Sequence, residues 1–265
     1  MKTRIIVSVI LLPVVIGLMW LGGFWLAGFV TAIAIIGQIE FYRAFGKLGI
    51  PHYAAMVAGV GLMLFLVLSE QVFVGLHMGL ILITLVFVAP FFFTRKKPLY
   101  AAIFGFVYVV GLLSTVVVMR QQMGLWLTWL IFIAAWGSDT GAYFFGKAFG
   151  KRKLVPKLSP GKTVAGAVGG VATAMVLTVA YASILNATGI WELNHPITSL
   201  LPFAVYGLLG AVFAQGGDLA ASALKRHVGI KDFGQLIPGH GGILDRFDSI
   251  LFVAPLALIF FYIAL

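Results

Sequence analysis

The stretch from Ser222 to Asp248 reads S-A-L-K-R-H-V-G-I-K-D-F-G-Q-L-I-P-G-H-G-G-I-L-D-R-F-D and lies between two strongly apolar segments. Three of the chain's eight acidic residues, four cations and five glycines fall inside it. Ionisable groups near lipid are costly to keep, so their concentration at one place in a greasy chain points to a site. Asp218, just upstream, is the most informative single residue. It stands seven residues before Lys225; at about 1.5 Å per helical residue its carboxylate is roughly 10 Å inward from the helix end. At bilayer depth a carboxylate costs on the order of 3 kcal/mol unless it is paired, solvated or metal-bound. A structural aspartate hydrogen-bonded between helices is the plainer alternative. Asp218, Ser222 and Lys225 follow an i, i+4, i+7 spacing on one helix face, with Arg226 beside them. A carboxylate with cations above it is the order expected where Mg²⁺ is held and, through it, phosphates.

The loop supplies complementary groups. If the last helix starts near Leu244, Asp245 and Asp248 share its first turn, where carboxylates can also serve as caps and dipole partners. Hard cations working on phosphates use a few carboxylates rather than a full cage, so Asp218 with Asp245 is the expected metal pair. His240-Gly241-Gly242 lets the backbone approach a ligand closely. With no second histidine nearby this is not a zinc site, and His240 is expected to contact a phosphate or head group. Lys231 with Asp232 is either a loop salt bridge or a substrate contact, and Arg246, between two aspartates, is open to the same two readings.

A second constellation is W-G-S-D-T-G-A-Y-F-F-G-K, from Trp136 to Lys147, with Ser138, Asp139, Thr140 and Tyr143 polar in an otherwise oily helix. Small polar residues often pack membrane helices, but Asp139 exceeds that role. With Lys147 two turns on, the pattern of an acid within the bilayer and a cation at its edge recurs. Ser159-Pro160-Gly161-Lys162-Thr163 imitates the end of a P-loop, yet Pro156 stands where the first glycine belongs and no strand is expected before it. A basic turn entering a helix N-terminus, with Lys162 and Thr163, still suits phosphate.

The elements that must position these groups are membrane spans. Of 265 residues, 62% are hydrophobic and 10% charged, against roughly 25% charged in soluble domains. A chain with no cysteine has neither disulfides nor thiolate metal sites. The formal charge of +10 would suggest nucleic acid in a soluble protein, but in a membrane protein it marks loops and anionic head groups. Apolar runs separated by turn signals predict an all-α polytopic fold of about nine transmembrane helices. They run from Ile5 to Trp20, Leu21 to Ile39, Tyr53 to Leu68, Val72 to Phe93, Pro98 to Met119, Leu125 to Phe149, Val164 to Leu185, Leu200 to Leu224 and Ile250 to Leu265. The first is expected to be a retained helix rather than a signal peptide, because no small-residue cleavage site follows it. With the N-terminus cytoplasmic and the C-terminus outside, every Lys and Arg except Arg120 falls on the inner side. The chain reads as a single membrane-embedded domain, with residues 1–120 as N-terminal spans and 121–265 as a catalytic half whose two loops, Lys151 to Thr163 and Ser222 to Asp248, face the cytoplasm.

The run Ser222-x-Leu224-Lys225-Arg226, four residues, Lys231-Asp232, Gly234, Ile237-Pro238, then His240-Gly241-Gly242 and Asp245-Arg246-x-Asp248 resembles the signature of the phosphatidate cytidylyltransferases, or CDP-diacylglycerol synthases. The W-G-S-D-T-G-A-Y run and the S-P-G-K-T turn are also similar to that family, so the likeness covers Trp136 to the C-terminus well and the first hundred residues only as a series of spans. It implies a Mg²⁺-dependent enzyme, with a second cation as an open option, that joins CTP to phosphatidate and releases pyrophosphate. It also implies a homodimer of multi-span protomers, and the expected location is the inner (cytoplasmic) membrane with the site facing the cytoplasm. In those terms Asp218, Ser222, Lys225, Arg226, Asp245 and Asp248 are the expected catalytic residues. Substrate contacts are expected from Ser138, Asp139, Lys162, Thr163, Lys231, Asp232, His240, Gly241, Gly242 and Arg246. A CTP-dependent kinase of a lipid alcohol would present similar acids and loops, and an ion-coupled transporter would place acids at discontinuous helices, though it would be expected to show inverted repeats, which are not seen here.

Overall fold

In the computed structural model, residues 2–69, 74–95, 97–190, 196–236 and 241–264 are described. Among them the chain is nearly all helix: α1 (Lys2–Leu21), α2 (Gly23–Phe45), α3 (Ile50–Leu68), α4 (Val74–Arg95), α5 (Pro98–Gly105), a π-helical segment (Phe106–Gly111), α6 (Leu112–Gln122), α7 (Gly124–Phe149), α8 (Val164–Ala187), α9 (Pro196–His227) and α10 (Leu244–Ala264). Six of these rods, counting Pro98–Gln122 as one, are long and apolar enough to cross a membrane: α2, α3, Pro98–Gln122, α8, the Leu200–His227 part of α9, and α10. Shorter apolar runs occur in α1, at Leu12–Leu21, and in α4, at His77–Pro90. In α7 the polar run Ser138-Asp139-Thr140 interrupts the apolar sequence.

The expectation of a purely helical chain is corrected at the basic loop. Lys153–Val155 (β1) and Ser159–Thr163 (β2) form an antiparallel hairpin, pairing Lys153 with Thr163 and Val155 with Ser159. Strands this short carry no readable two-residue alternation, which is why the sequence shows only charge and proline there. Gly161-Lys162-Thr163 therefore ends a strand and leads straight into α8. Thr163 caps that helix, its Oγ1 accepting the Gly166 N–H at 3.1 Å.

The α5–π–α6 rod is the buried centre, with Val109, Val110, Val116, Val117 and Met119 almost wholly enclosed. Beside it Phe92 stacks on Phe104 at 4.6 Å between ring centroids, and Phe104 on Tyr108 at 5.7 Å. The helices that carry the chemistry, α7, α8, α9 and α10, pack on one another. Small residues let α7 and α8 approach: a methyl on Gly141 would collide with Thr173 and with the Gly169 carbonyl. Between α7 and α9, Gln215 Nε2 donates to Ser138 Oγ at 3.2 Å.

Candidate active site

Asp218 and Ser222 lie one turn apart on α9 as their spacing predicts, and the Ser222 hydroxyl is 3.4 Å from Asp218 Oδ1. The other oxygen, Oδ2, is 2.7 Å from the ammonium of Lys162, which the hairpin carries in from β2. Asp139 on α7 and Asp248 on α10 are both close enough to Asp218 to repel it, and to repel each other. Three acids from three helices thus share a region in which Lys162 is the ion-paired cation. Asp248 is held by its Oδ1, which accepts the Ser249 N–H at 2.7 Å.

Asp245 has a different part. Its Oδ1 takes a hydrogen bond from Lys225 Nζ at 2.6 Å, and its Oδ2 accepts the N–H groups of Phe233 at 2.8 Å and Gly242 at 3.0 Å. Both carboxylate oxygens are spent on protein donors, and the pair is enclosed, Lys225 and Asp245 each 8% exposed. Asp245 therefore ties the loop after α9 to the start of α10. Asp218 also has both oxygens engaged, but its ion pair with Lys162 is partly exposed where the Lys225–Asp245 pair is enclosed. Asp248 uses only Oδ1 among the described residues, so these two are the acids more available to a ligand. Lys225, expected to face phosphate, is likewise consumed, with Phe233 as a further neighbour at 5.5 Å.

A residue that the sequence reading overlooked completes this frame. Glu40, at the end of α2 and 7% exposed, accepts the Ile243 N–H at 3.0 Å on Oε1 and the Leu244 N–H at 2.9 Å on Oε2. It caps α10 from the opposite half of the chain. Gly234 and Gly242 sit so close against its carboxylate that neither has room for a Cβ. An isolated acid near the end of the second apolar run was the available signal. Gly241 is in the left-handed region, at φ 82°, which permits the turn that delivers the Gly242 N–H to Asp245.

The remaining expected residues divide. Arg226 is exposed and donates to the Ile230 carbonyl at 2.8 Å, closing the end of α9. Lys231 and Asp232 are exposed and form no ion pair with each other; among the described residues the ion pairs are Lys162–Asp218 and Lys225–Asp245. Thr163 is buried as a helix cap. Ser138 is fully enclosed and meets the side-chain amide of Gln215 rather than a cleft, so it is set apart from the substrate contacts expected with it. His240 lies outside the described residues.

Two clefts share Asp139 in their walls. One, of about 290 Å³, is the more polar of the two, its wall carrying Asp139, Tyr143, Lys162, Gln215 and Asp218 beside apolar residues such as Ala142 and Leu154. The second, of about 390 Å³, is largely apolar, lined by Val15, Phe29, Ile33, Phe132 and Phe247, with Asp139 and the exposed Arg246 as its ionic groups. Asp139 is the one acid among the described residues that both clefts share, so a ligand in either would lie beside it.

The donor set around Asp218 is all oxygen, as hard cations require. No group of three or more acids or histidines among the described residues converges closely enough to form a complete metal cage. Mg²⁺ bound through one or two carboxylates, with water and phosphate filling the rest, matches that arrangement. The mutual repulsion of Asp139, Asp218 and Asp248 is what a divalent cation would relieve.

The sequence profile of the cytidylyltransferase family matches residues 2–264. The chain is 34% identical to the phosphatidate cytidylyltransferase of Bacillus subtilis over 277 aligned positions, which span all of this chain and 98% of that protein. It is 40% identical to the protein of the same name from Haemophilus influenzae over 180 residues, 65% of this chain and 61% of the relative. A Staphylococcus aureus protein of that name is 45% identical over 125 residues, 47% of this chain and 45% of that relative.

Proposed function

The chain belongs to the cytidylyltransferase family, and from that premise we propose that it transfers the cytidylyl group of CTP to phosphatidate, forming CDP-diacylglycerol and pyrophosphate. The observation that carries this reading is a pair of clefts that share Asp139, one with Lys162 and Asp218 on its wall and the other largely apolar. CTP takes the polar cleft, where Lys162 and the N-terminus of α8 receive phosphates. Phosphatidate lies along the apolar groove with its phosphate toward Arg246.

A phosphate oxygen of phosphatidate attacks the α-phosphorus of CTP, the bond to the bridging oxygen of the β-phosphate breaks, and pyrophosphate leaves. A phosphate monoester has its second pKa at about 6 and is already a nucleophile at neutral pH, so no dedicated base is needed. Asp218 and Asp248, with Asp139 beside them, would hold Mg²⁺. When bound, that ion would neutralise charge as two anions meet and stabilise the departing pyrophosphate. Lys162 is the resident counter-ion of Asp218; on nucleotide binding it turns to the phosphates and frees the carboxylate. Lys225, Asp245 and Glu40 keep the loop and the first turn of α10 in register with α9. The residues thus act mainly by positioning and electrostatics.

The reading includes nine crossings, a cytoplasmic N-terminus and a site on the cytoplasmic side of the inner membrane, where CTP is available; the loop cations support it. It also includes a homodimer, checked by mass measurement in detergent. The deciding experiment supplies purified protein with labelled CTP, phosphatidate and Mg²⁺. A nucleotide-lipid and pyrophosphate are expected; CDP with a phosphorylated lipid alcohol would indicate the kinase, and absence of product from folded protein would overturn the proposal.

A further inference from the structure

We propose that Gln215 selects the nucleotide base, its side-chain oxygen accepting a hydrogen bond from the exocyclic amino group of cytosine. This rests on the reaction assigned above. Gln215 lies on α9 three residues before Asp218 and lines the polar cleft with Lys162 and Asp218. Its Nε2 donates to the Ala167 carbonyl at 3.0 Å and to Ser138 Oγ at 3.2 Å. A backbone carbonyl only accepts, so the end of the amide facing Ala167 has to be the NH₂ group. Turning the amide over would set oxygen against oxygen. Gly170 leaves no spare room there, since a methyl on it would press on Gln215 Nε2 and the Ser138 carbonyl.

Both amide hydrogens are therefore used on α7 and α8, and Oε1 is left as an acceptor of fixed position that no described residue satisfies. Ser138 acts through it as a positioning residue. Cytosine carries an amino donor where uracil carries a carbonyl oxygen, so a fixed acceptor attracts the first and repels the second. The hydroxyl of Tyr143 could donate or accept and would not discriminate. Thr163 Oγ1 is occupied by the Gly166 N–H. With the α-phosphate beside Asp218 and the outer phosphates toward Lys162, the nucleoside end runs along α9 toward Gln215, roughly 4.5 Å further by helical rise.

The test compares kcat/KM for CTP and UTP, with phosphatidate and Mg²⁺ present, in the wild type and in Gln215→Ala. Gln215→Ala is expected to lower the CTP-to-UTP preference by at least about tenfold, mostly through loss with CTP, with KM for phosphatidate unchanged. A substrate-side measurement avoids dependence on the variant's folding. Wild-type protein should use a CTP analogue with hydrogen in place of the 4-amino group at least about tenfold less well than CTP. An unchanged preference in Gln215→Ala, or equal use of CTP and the analogue by the wild type, overturns base selection while leaving the reaction intact. Loss of preference in Asp139→Asn but not in Gln215→Ala assigns the contact to Asp139 and overturns it equally. A wild type that makes no nucleotide-lipid at all overturns the reaction, and this inference with it.

Discussion

The carboxylate of Glu40 on α2 accepts the backbone N–H of Leu244, the first residue of α10, at 2.9 Å. A second bond to the Ile243 N–H makes the grip bidentate. The start of α10 is thus fixed by the N-terminal half of the chain, and Asp245 and Asp248 occupy the turn so fixed. Glu40→Gln replaces one accepting oxygen by a donor that faces another donor. A buried unsatisfied group costs about 1–3 kcal/mol. Glu40→Gln is therefore expected to lower thermal stability in detergent by that amount and to reduce turnover, while Glu40→Ala, which also leaves a void under Gly234 and Gly242, costs more. Turnover unaffected in both would remove Glu40 from the frame of the site.

Asp245 and Asp218 should separate cleanly in a paired measurement of stability and activity. Removing one partner of a buried ion pair costs about 3–5 kcal/mol, because the other charge is left unpaired. Asp245→Asn strands Lys225 and weakens the bonds to Phe233 and Gly242, so its melting temperature is expected to fall. Asp248→Asn relieves repulsion among three acids and is expected to keep the melting temperature. Asp218→Asn relieves it too but gives up the partly exposed ion pair with Lys162, so its melting temperature is expected to fall less than that of Asp245→Asn. Both Asp218→Asn and Asp248→Asn are expected to lose turnover by orders of magnitude. A normal rate in Asp218→Asn, or unchanged stability in Asp245→Asn, would reverse the two assignments.

Those assignments show where spacing in the sequence suffices and where it does not. The α9 face carrying Asp218 and Ser222 follows from helical periodicity alone, whereas the start of α10 at Leu244 enters the sequence reading only as a condition, six residues ahead of the apolar run that begins at Ile250. The fate of Asp245 depends on the loop folding back so that Phe233 N–H reaches it, and no local pattern encodes that closure. Glu40 meets Ile243 across 203 positions of chain, a distance at which one sequence offers only the oddity of an acid in an apolar run. The same limit hid Gln215, whose meaning depends on a carbonyl of α8. Arg120, the one cation on the outer side of the expected topology, is explained by contact: its Nε donates to the Met19 carbonyl at 3.0 Å, at the C-terminal end of α1 where positive charge is favoured.

Removal of divalent cation tests the acidic cluster as a whole. Chelation by EDTA is expected to abolish turnover, and Mg²⁺ to restore it and to raise the melting temperature. In Asp248→Asn the Mg²⁺ concentration needed for half-maximal rate should rise. Full activity in EDTA would assign charge neutralisation to Lys162 and Arg246 alone.

The two-cleft arrangement makes the most direct prediction, because it assigns each cation to a different substrate. Lys162 lines the polar cleft and pairs with Asp218 at 2.7 Å, so Lys162→Met is expected to raise KM for CTP and lower kcat with little change in KM for phosphatidate. Arg246 is exposed at the ionic end of the apolar groove. Arg246→Ala should raise KM for phosphatidate and leave KM for CTP near normal. A charge-assisted hydrogen bond to phosphate is worth about 1.5–3 kcal/mol, which converts to a change of roughly tenfold or more in the affected constant. Phe132→Ala, on the apolar wall of the same groove, should alter the preference among acyl chains without touching the CTP constants. Crossed results, with Arg246→Ala weakening CTP and Lys162→Met weakening the lipid, would exchange the two substrates between the clefts.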